Sequence, residues 1–226
     1  MKPYKGILLD LDHTLYDYEL CHQPALKKTL DWVVSVTSVP LSEVQRHYGL
    51  ARKQTNLRLD KTASSHNRLL YFQGLFERLG ESPIPRAFEA YNRYWDCFLE
   101  LMCFRDGVIP FLDRFQGQIC LLTDLTAHIQ YRKIEQLGLG RWVDKLVTSE
   151  EIGQEKPSEK MFLAGLEKLG MPPSEVCMIG DNHPKDCLGA ARQGISSVWL
   201  NTGNTEPEAH PLITSVQSFS QLNQTL

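Results

Sequence analysis

The chain has 226 residues, 42% of them apolar, with 24 basic and 27 acidic side chains and a formal net charge of −3. That length suits one α/β domain carrying an insertion, and the mildly acidic balance weighs against nucleic acid or a membrane surface as partner while leaving small anionic substrates open. The six cysteines show no CxxC spacing, no apolar run is long enough to cross a membrane, and acids at positions 10 and 12 cut short any signal-like start; a reduced, cytoplasmic protein without zinc site or disulfides is expected.

The run Ile7-Leu8-Leu9-Asp10-Leu11-Asp12-His13-Thr14-Leu15 is apolar until it meets two carboxylates one residue apart. Branched apolar residues bounded by polar ones predict a buried parallel strand. Asp10 and Asp12 then lie at its C-terminal end, the edge where open α/β sheets bind ligands. Alternation sends both acids to one side and turns Leu11 into the core. Two converging carboxylates repel each other, so a cation is expected beside them, and an all-oxygen donor set favours Mg²⁺. A bare DxD is more often a solvated strand end, so the rest of the chain must decide.

Helical periodicity follows for most of a hundred residues. Pro24 suits a first helical turn ahead of Leu26, Leu30, Val33 and Val34, and Pro40 stops that helix. Ser42 and Gln45 form a capping-box pattern for a second helix. Leu69, Phe72, Phe76 and Leu79 before Gly80 predict a third, and Phe88, Tyr91, Trp95, Phe98 and Met102 a fourth. The fold class expected is therefore α/β, a Rossmann-like parallel sheet core over residues 1–16 and 104–226 with an inserted helical-bundle cap over 17–103. In the core, strands are predicted at 118–123, 145–149, 176–180 and 197–200, alternating with helices near 126–137, 158–169 and 184–193 that close on Gly138, Gly170 and Gly194. After Asn201 the pattern is a polar loop and a weak helix.

Three further strand ends deliver polar groups to the edge that carries Asp10. Thr123-Asp124 follows the second strand, with Thr126 placed to cap the next helix, so that a hydroxyl and backbone N–H groups can cradle an anion. Lys156 precedes the next helix and can stabilise a phosphoryl group or an anionic nucleophile. The strand Val176–Ile179 runs into Gly180-Asp181-Asn182-His183-Pro184-Lys185-Asp186, where Asp181 and Asp186 can bind the same cation as Asp10.

The ordered set of DLDHT at 10–14, Thr123, Lys156-Pro157 and GDNHPKD at 180–186 resembles the four motifs of the haloacid dehalogenase-like (HAD) phosphohydrolases, and the helical insertion after the first motif is similar to the cap of that superfamily. The resemblance covers essentially the whole core. It implies that Asp10 is the nucleophile that becomes an aspartyl phosphate, and that Asp12 protonates the leaving oxygen and then deprotonates the attacking water. It further implies that Thr123, Asp124 and Lys156 form the phosphate-binding site, with the threonine and the lysine holding the phosphoryl oxygens, and that Asp10, the backbone carbonyl of Asp12, Asp181 and Asp186 form the Mg²⁺ site. The acid at 12 separates the chain from the dehalogenase branch. The implied partner is a small phosphorylated metabolite, a nucleoside monophosphate or sugar phosphate; a phosphomutase, or a non-catalytic phosphoryl-accepting or ligand-binding module, is the alternative.

Two positions depart from the family pattern: His13 stands where many relatives have Gly, and Asp124 where many have a small polar residue. Helix capping is the role expected of Asp124, and neither His13 nor His183 is expected to ligate Mg²⁺, which prefers oxygen. Within the cap, Arg46, Arg52, Lys53, Arg58, Lys61 and Arg68 face the single acid Asp60. Such a run is usually a solvated face, but Arg52, Lys53 and Arg58 are also candidate specificity residues. The helical spacing of Tyr71, Tyr91, Tyr94 and Trp95 points to core packing rather than to stacking on a base.

Overall fold

The computed structural model describes residues 4–203 and 209–225. Strand β1 (Gly6–Leu9) is followed by helices α1 (Tyr18–Thr37), α2 (Leu41–Arg58), α3 (Arg68–Arg78) and α4 (Ala87–Glu100). Next come α5 (Val108–Arg114), β2 (Gln118–Thr123), α6 (Ala127–Gln136), β3 (Lys145–Thr148), α7 (Ser149–Ile152) and α8 (Glu159–Leu169). The chain ends with β4 (Val176–Gly180), α9 (Leu188–Ala191), β5 (Ser196–Leu200), β6 (Ile213–Val216) and α10 (Phe219–Thr225). It divides into two compact units, Met1–Asp17 with Cys103–Leu226, and Tyr18–Met102. No helix among the described residues is long and apolar enough to cross a membrane.

The first unit is built on a six-stranded parallel sheet of order β3-β2-β1-β4-β5-β6, the α/β architecture expected. Leu8 of β1 joins Cys120, Leu122, Val147, Val176 and Met178 on one face of the sheet, where Met161, Phe162, Leu166 and Leu169 of α8 and Ala190 of α9 cover them. Ile7 and Leu9 turn to the opposite face and are buried as well, which is why the strand reads as an uninterrupted apolar run. A Cβ at Gly165 would come 2.6 Å from Leu8 Cδ2, so a glycine lets α8 approach the central strand. The chain leaves β2 and β3 on one side of β1 and β4, β5 and β6 on the other. Such a reversal of strand order opens a crevice at the C-terminal strand ends. Tyr16 pairs antiparallel with Phe104, and Arg105 donates from its backbone N–H to Leu15 O (2.9 Å) and from Nε to His13 O (3.1 Å). These contacts tie together the segments that lead into and out of the insertion.

The second unit packs α1 on α4, α2 on α3 and α3 on α4. Tyr71, Phe72, Phe76, Tyr94, Trp95 and Phe98 are fully buried there, so three of the four aromatics assigned to packing lie in the core, and Tyr91 is half-buried. Arg52, Lys53 and Arg58 are exposed. Arg68 is the exception in the basic run, 8% exposed. It donates to Tyr18 Oη and to His66 O, and its guanidinium carbon lies 5.4–6.0 Å from the ring centres of Tyr18, Tyr71, Tyr94 and Trp95, a cation–π box.

Several local expectations are corrected. Helix α1 begins at Tyr18, with Pro24 inside it, because burial of Cys21, His22 and Ala25 extends its apolar face past the proline. Pro40 is the N-cap of α2 and its carbonyl accepts from Glu43 N and Val44 N, so the Ser42 and Gln45 capping box does not form. Phe88 is 59% exposed instead of packed. The helix predicted at 184–193 starts as a wide turn over His183–Cys187 before the single turn of α9. The polar segment after Asn201 contains edge strand β6, whose only fully buried residue is Val216; residues 204–208 of the loop before it lie outside the described residues.

Leu8 is fully buried against α8. Leu8→Ala should therefore destabilise the protein by about 2–5 kcal/mol through lost burial plus a residual cavity. Urea unfolding checks this, and a change under about 1 kcal/mol would mean that the face is not close-packed.

Candidate active site

Register places Leu9 opposite Leu121 and Ile179, so Asp10 leaves the sheet one residue beyond the paired region, its N–H still donating to Ile179 O at 2.9 Å. Asp10 Oδ1 accepts from Lys156 Nζ at 2.5 Å and Oδ2 from Thr14 Oγ1 at 2.7 Å. The same Lys156 ammonium donates to Asp186 Oδ1 at 2.7 Å. Thr14 Oγ1 also lies 3.2 Å from Asp181 Oδ1 and accepts from the Asp181 N–H at 3.1 Å. The Asp181 carbonyl accepts from Trp199 Nε1 at 2.8 Å, and Asp186 Oδ2 accepts from the Asn182 N–H at 2.9 Å. A side chain on Gly180 would run into the Asp186 carboxylate, so the end of β4 is bare where that acid folds back beneath it.

Oxygens of Asp10, Asp181 and Asp186 all lie within 4.8 Å of one another. Burial pushes the Asp10 carboxyl up to about 7, with Lys156 opposing and Asp186 adding to the rise. Burial likewise raises Asp181 to about 6, helped by Asp10, and raises Asp186 against the pull of Lys156. Three carboxylates against one ammonium leave two formal negative charges in a largely buried space. A hard divalent cation matches both that charge and the all-oxygen donor set. Neither His13 nor His183 joins this cluster among the described residues. His183 instead lies against the Trp199 ring, with centroids 4.7 Å apart. His13 has φ 64, the left-handed region that glycine enters freely, which gives a backbone reason for the glycine of related chains.

Asp12 lies in different surroundings. Its carboxylate is outside the acidic cluster and accepts from Lys133 Nζ (2.6 Å), Gln130 Nε2 (3.0 Å) and the Tyr16 hydroxyl. Burial alone would raise this carboxyl, but Lys133, with Tyr16 and Gln130, holds it below the ordinary range. Thr123 is buried, and its Oγ1 accepts from Gln130 Nε2 at 2.6 Å. Gln130 and Lys133 were not among the residues singled out by sequence.

Asp124 does not cap α6. Its Oδ1 accepts from the Lys156 N–H at 3.0 Å and its Oδ2 from Lys185 Nζ at 2.9 Å, while Lys185 also reaches Glu155 Oε2 at 3.2 Å. Thr126 makes no side-chain capping bond either, and the Ala127 N–H donates to Glu150 Oε2 at 2.8 Å. The negative charge of Asp124 is thus balanced by Lys185, and its carboxylate anchors the backbone that carries Lys156.

Acids at the ends of the two central strands of a Rossmann-like parallel sheet, with a buried lysine and a buried threonine beside them, thus form a site suited to anionic chemistry. Residues 4–194 match the family model of the haloacid dehalogenase-like hydrolases, and the chain belongs to that family. It is 36% identical over 198 residues to a ribulose-1,5-bisphosphate 5-phosphatase of Halopiger xanaduensis, covering 85% of this chain and 83% of that protein. It is 29% identical to a pyrimidine 5′-nucleotidase of Escherichia coli, covering 97% and 96%. Its fold is shared with the HAD-hydrolase YfnB of Bacillus subtilis, solved bound to magnesium, with a TM-score of 0.74 at 19% identity over 99% of both chains. The chain is an enzyme, a HAD-like phosphatase.

Asp124→Ala would leave the Lys156 N–H without its acceptor and Lys185 without one of its two acids, at a cost of about 1–3 kcal/mol. Asp124→Asn, whose amide oxygen can still accept from that N–H, should cost less. Thermal unfolding of the two variants checks this ordering, and equal losses would contradict it.

Proposed function

We propose that the chain is a Mg²⁺-dependent phosphomonoesterase that hydrolyses a small phosphorylated metabolite, a sugar phosphate or nucleoside monophosphate, through an aspartyl phosphate on Asp10. The observation that carries this reading is the sharing of the Lys156 ammonium between Asp10 Oδ1 (2.5 Å) and Asp186 Oδ1 (2.7 Å), inside the three-acid cluster. Asp10 attacks phosphorus while Lys156 and the Thr123 hydroxyl hold the phosphoryl oxygens. Asp12 gives a proton to the leaving oxygen and later takes one from the water that attacks the phosphorus of the intermediate. Mg²⁺ held by Asp10, Asp181 and the backbone carbonyl of Asp12, with Asp186 in support, would supply charge neutralisation at the phosphoryl oxygens. The named activities of the two relatives make a sugar bisphosphate and a pyrimidine nucleotide the first esters to assay. Free phosphate release supports the phosphatase reading, and positional transfer without release would point to a mutase.

Asp10→Asn keeps the shape of the side chain and removes the nucleophile, so turnover should fall by several powers of ten; residual activity above about one hundredth would contradict the role. Exhaustive chelation should abolish phosphate release, with Mg²⁺ restoring it and Ca²⁺ failing to, because Ca²⁺ takes more ligands at longer distances. Full activity in the chelated protein would remove the ion from the reaction.

Leaving-group selection is assigned to the inserted helical unit. Lys53 and Arg58, with Arg78, line an open depression of about 450 Å³ on that unit, and Arg52 adds a further exposed cation to the same helix. Replacing Arg52, Lys53 or Arg58 by Ala should lower kcat/KM on the best ester of the screen by roughly tenfold while sparing p-nitrophenyl phosphate. Parallel losses on both esters, or none, would return the stretch to a solvated face.

A further inference from the structure

Behind Asp12 lies a buried cation to which the reaction above gives no part. The Lys133 side chain is 0% exposed and its Nζ is 2.6 Å from Asp12 Oδ1, where the acid itself is 21% exposed. Lysine is almost never fully buried unless paired, and Asp12 is the acid that pairs with it here. One turn earlier on the same face of α6, buried Gln130 donates from Nε2 to Asp12 Oδ2 (3.0 Å), Thr123 Oγ1 (2.6 Å) and Asp124 O (2.5 Å). Its Oε1 is buried without a hydrogen-bond partner. A residue present only to fill space would not need a carboxamide whose oxygen stays unsatisfied; the amino end, which meets three acceptors, is the functional end.

We propose that Lys133 and Gln130 are positioning residues for Asp12. Lys133 and Gln130 together engage both carboxylate oxygens, and Gln130 links Asp12 to the threonine assigned to the phosphoryl group. The group that exchanges protons with the leaving oxygen and the hydroxyl that orients the phosphoryl group are thereby held in register by one helix. The proposal rests on the phosphomonoesterase reading and adds to it a named pair acting through Asp12. A purely structural role, in which the ion pair only fastens α6 to the loop after β1, would affect stability without regard to leaving group.

Two esters of similar size, phenyl phosphate and p-nitrophenyl phosphate, separate these possibilities in single-turnover phosphorylation, because only the poorer leaving group depends strongly on protonation. Lys133→Met should slow phenol release by about tenfold or more and nitrophenol release by less than about threefold, with half-saturation little changed. In an Asp12→Asn background the same substitution should cause no further loss on phenyl phosphate. Equal losses on both esters, an undiminished loss in the Asp12→Asn background, or no loss at all would overturn the proposal. Circular dichroism reports whether Lys133→Met folds; if it does not, Gln130→Met, which removes the second support of Asp12 and its link to Thr123 while keeping the ion pair, decides by the same cycle. Wild-type rates in Asp12→Asn itself would instead overturn the acid/base reading, so the two failures are distinguishable.

Discussion

Mutual repulsion among Asp10, Asp181 and Asp186 is the constraint on which the core unit depends. Their oxygens lie within 4.8 Å of one another, and two unit charges at that separation cost about 3 kcal/mol even at an effective dielectric near 20. One buried lysine offsets part of this by bonding two of the three acids. Burial first, and this repulsion second, raises the carboxyls of Asp10 and Asp181 toward neutrality, a penalty that a divalent cation or an incoming phosphoryl group with its ion would relieve. Much of the local architecture serves to hold these acids together: the bare Gly180, the shared Thr14 hydroxyl and the Trp199 indole bonded to the Asp181 carbonyl.

Asp10 and Asp12 show how two residues apart in sequence can be driven in opposite directions. Asp10 looks into the acidic cluster and its carboxyl rises; Asp12 looks toward Lys133, Gln130 and Tyr16, and its carboxyl falls. Like charges and burial on one side and a cation on the other set these directions, and a divalent ion beside Asp10 would lower its carboxyl again. The contrast follows from where the chain leaves the strand, since the side chains after β1 are met by β4 and its following loop on one side and by α6 on the other.

Much of the fold was legible because its signals are local. Strands β1 to β5 are short apolar runs, and α6 and α8 end close to glycines with positive φ, Gly138 and Gly170. Strand β6 was not legible, since ITSV at a sheet edge buries one residue fully and carries no strong alternation. The start of α1 was misplaced because Pro24 suggested a boundary that tertiary burial overrides. The acids, Thr123 and Lys156 were visible as strand-end polar residues, whereas the roles of Asp124 and Lys185 depend on a contact 61 residues apart in the chain. Lys133 did leave a trace: it shares the i, i+4, i+8 stripe of α6 with Ile129 and Leu137, and a lysine on an apolar stripe signals a buried, paired charge.

In the proposed reaction phosphorus passes through a covalent bond to Asp10. Mixing the Mg²⁺-loaded enzyme with p-nitrophenyl phosphate, quenching in acid within the first turnover and sequencing the labelled peptide by mass spectrometry tests it directly. An added phosphoryl group is expected on the peptide that carries Asp10, at Asp10 itself, with its loss on treatment with hydroxylamine, as an acyl phosphate requires. Phosphate release with no such adduct, or an adduct on another residue, would contradict that reaction.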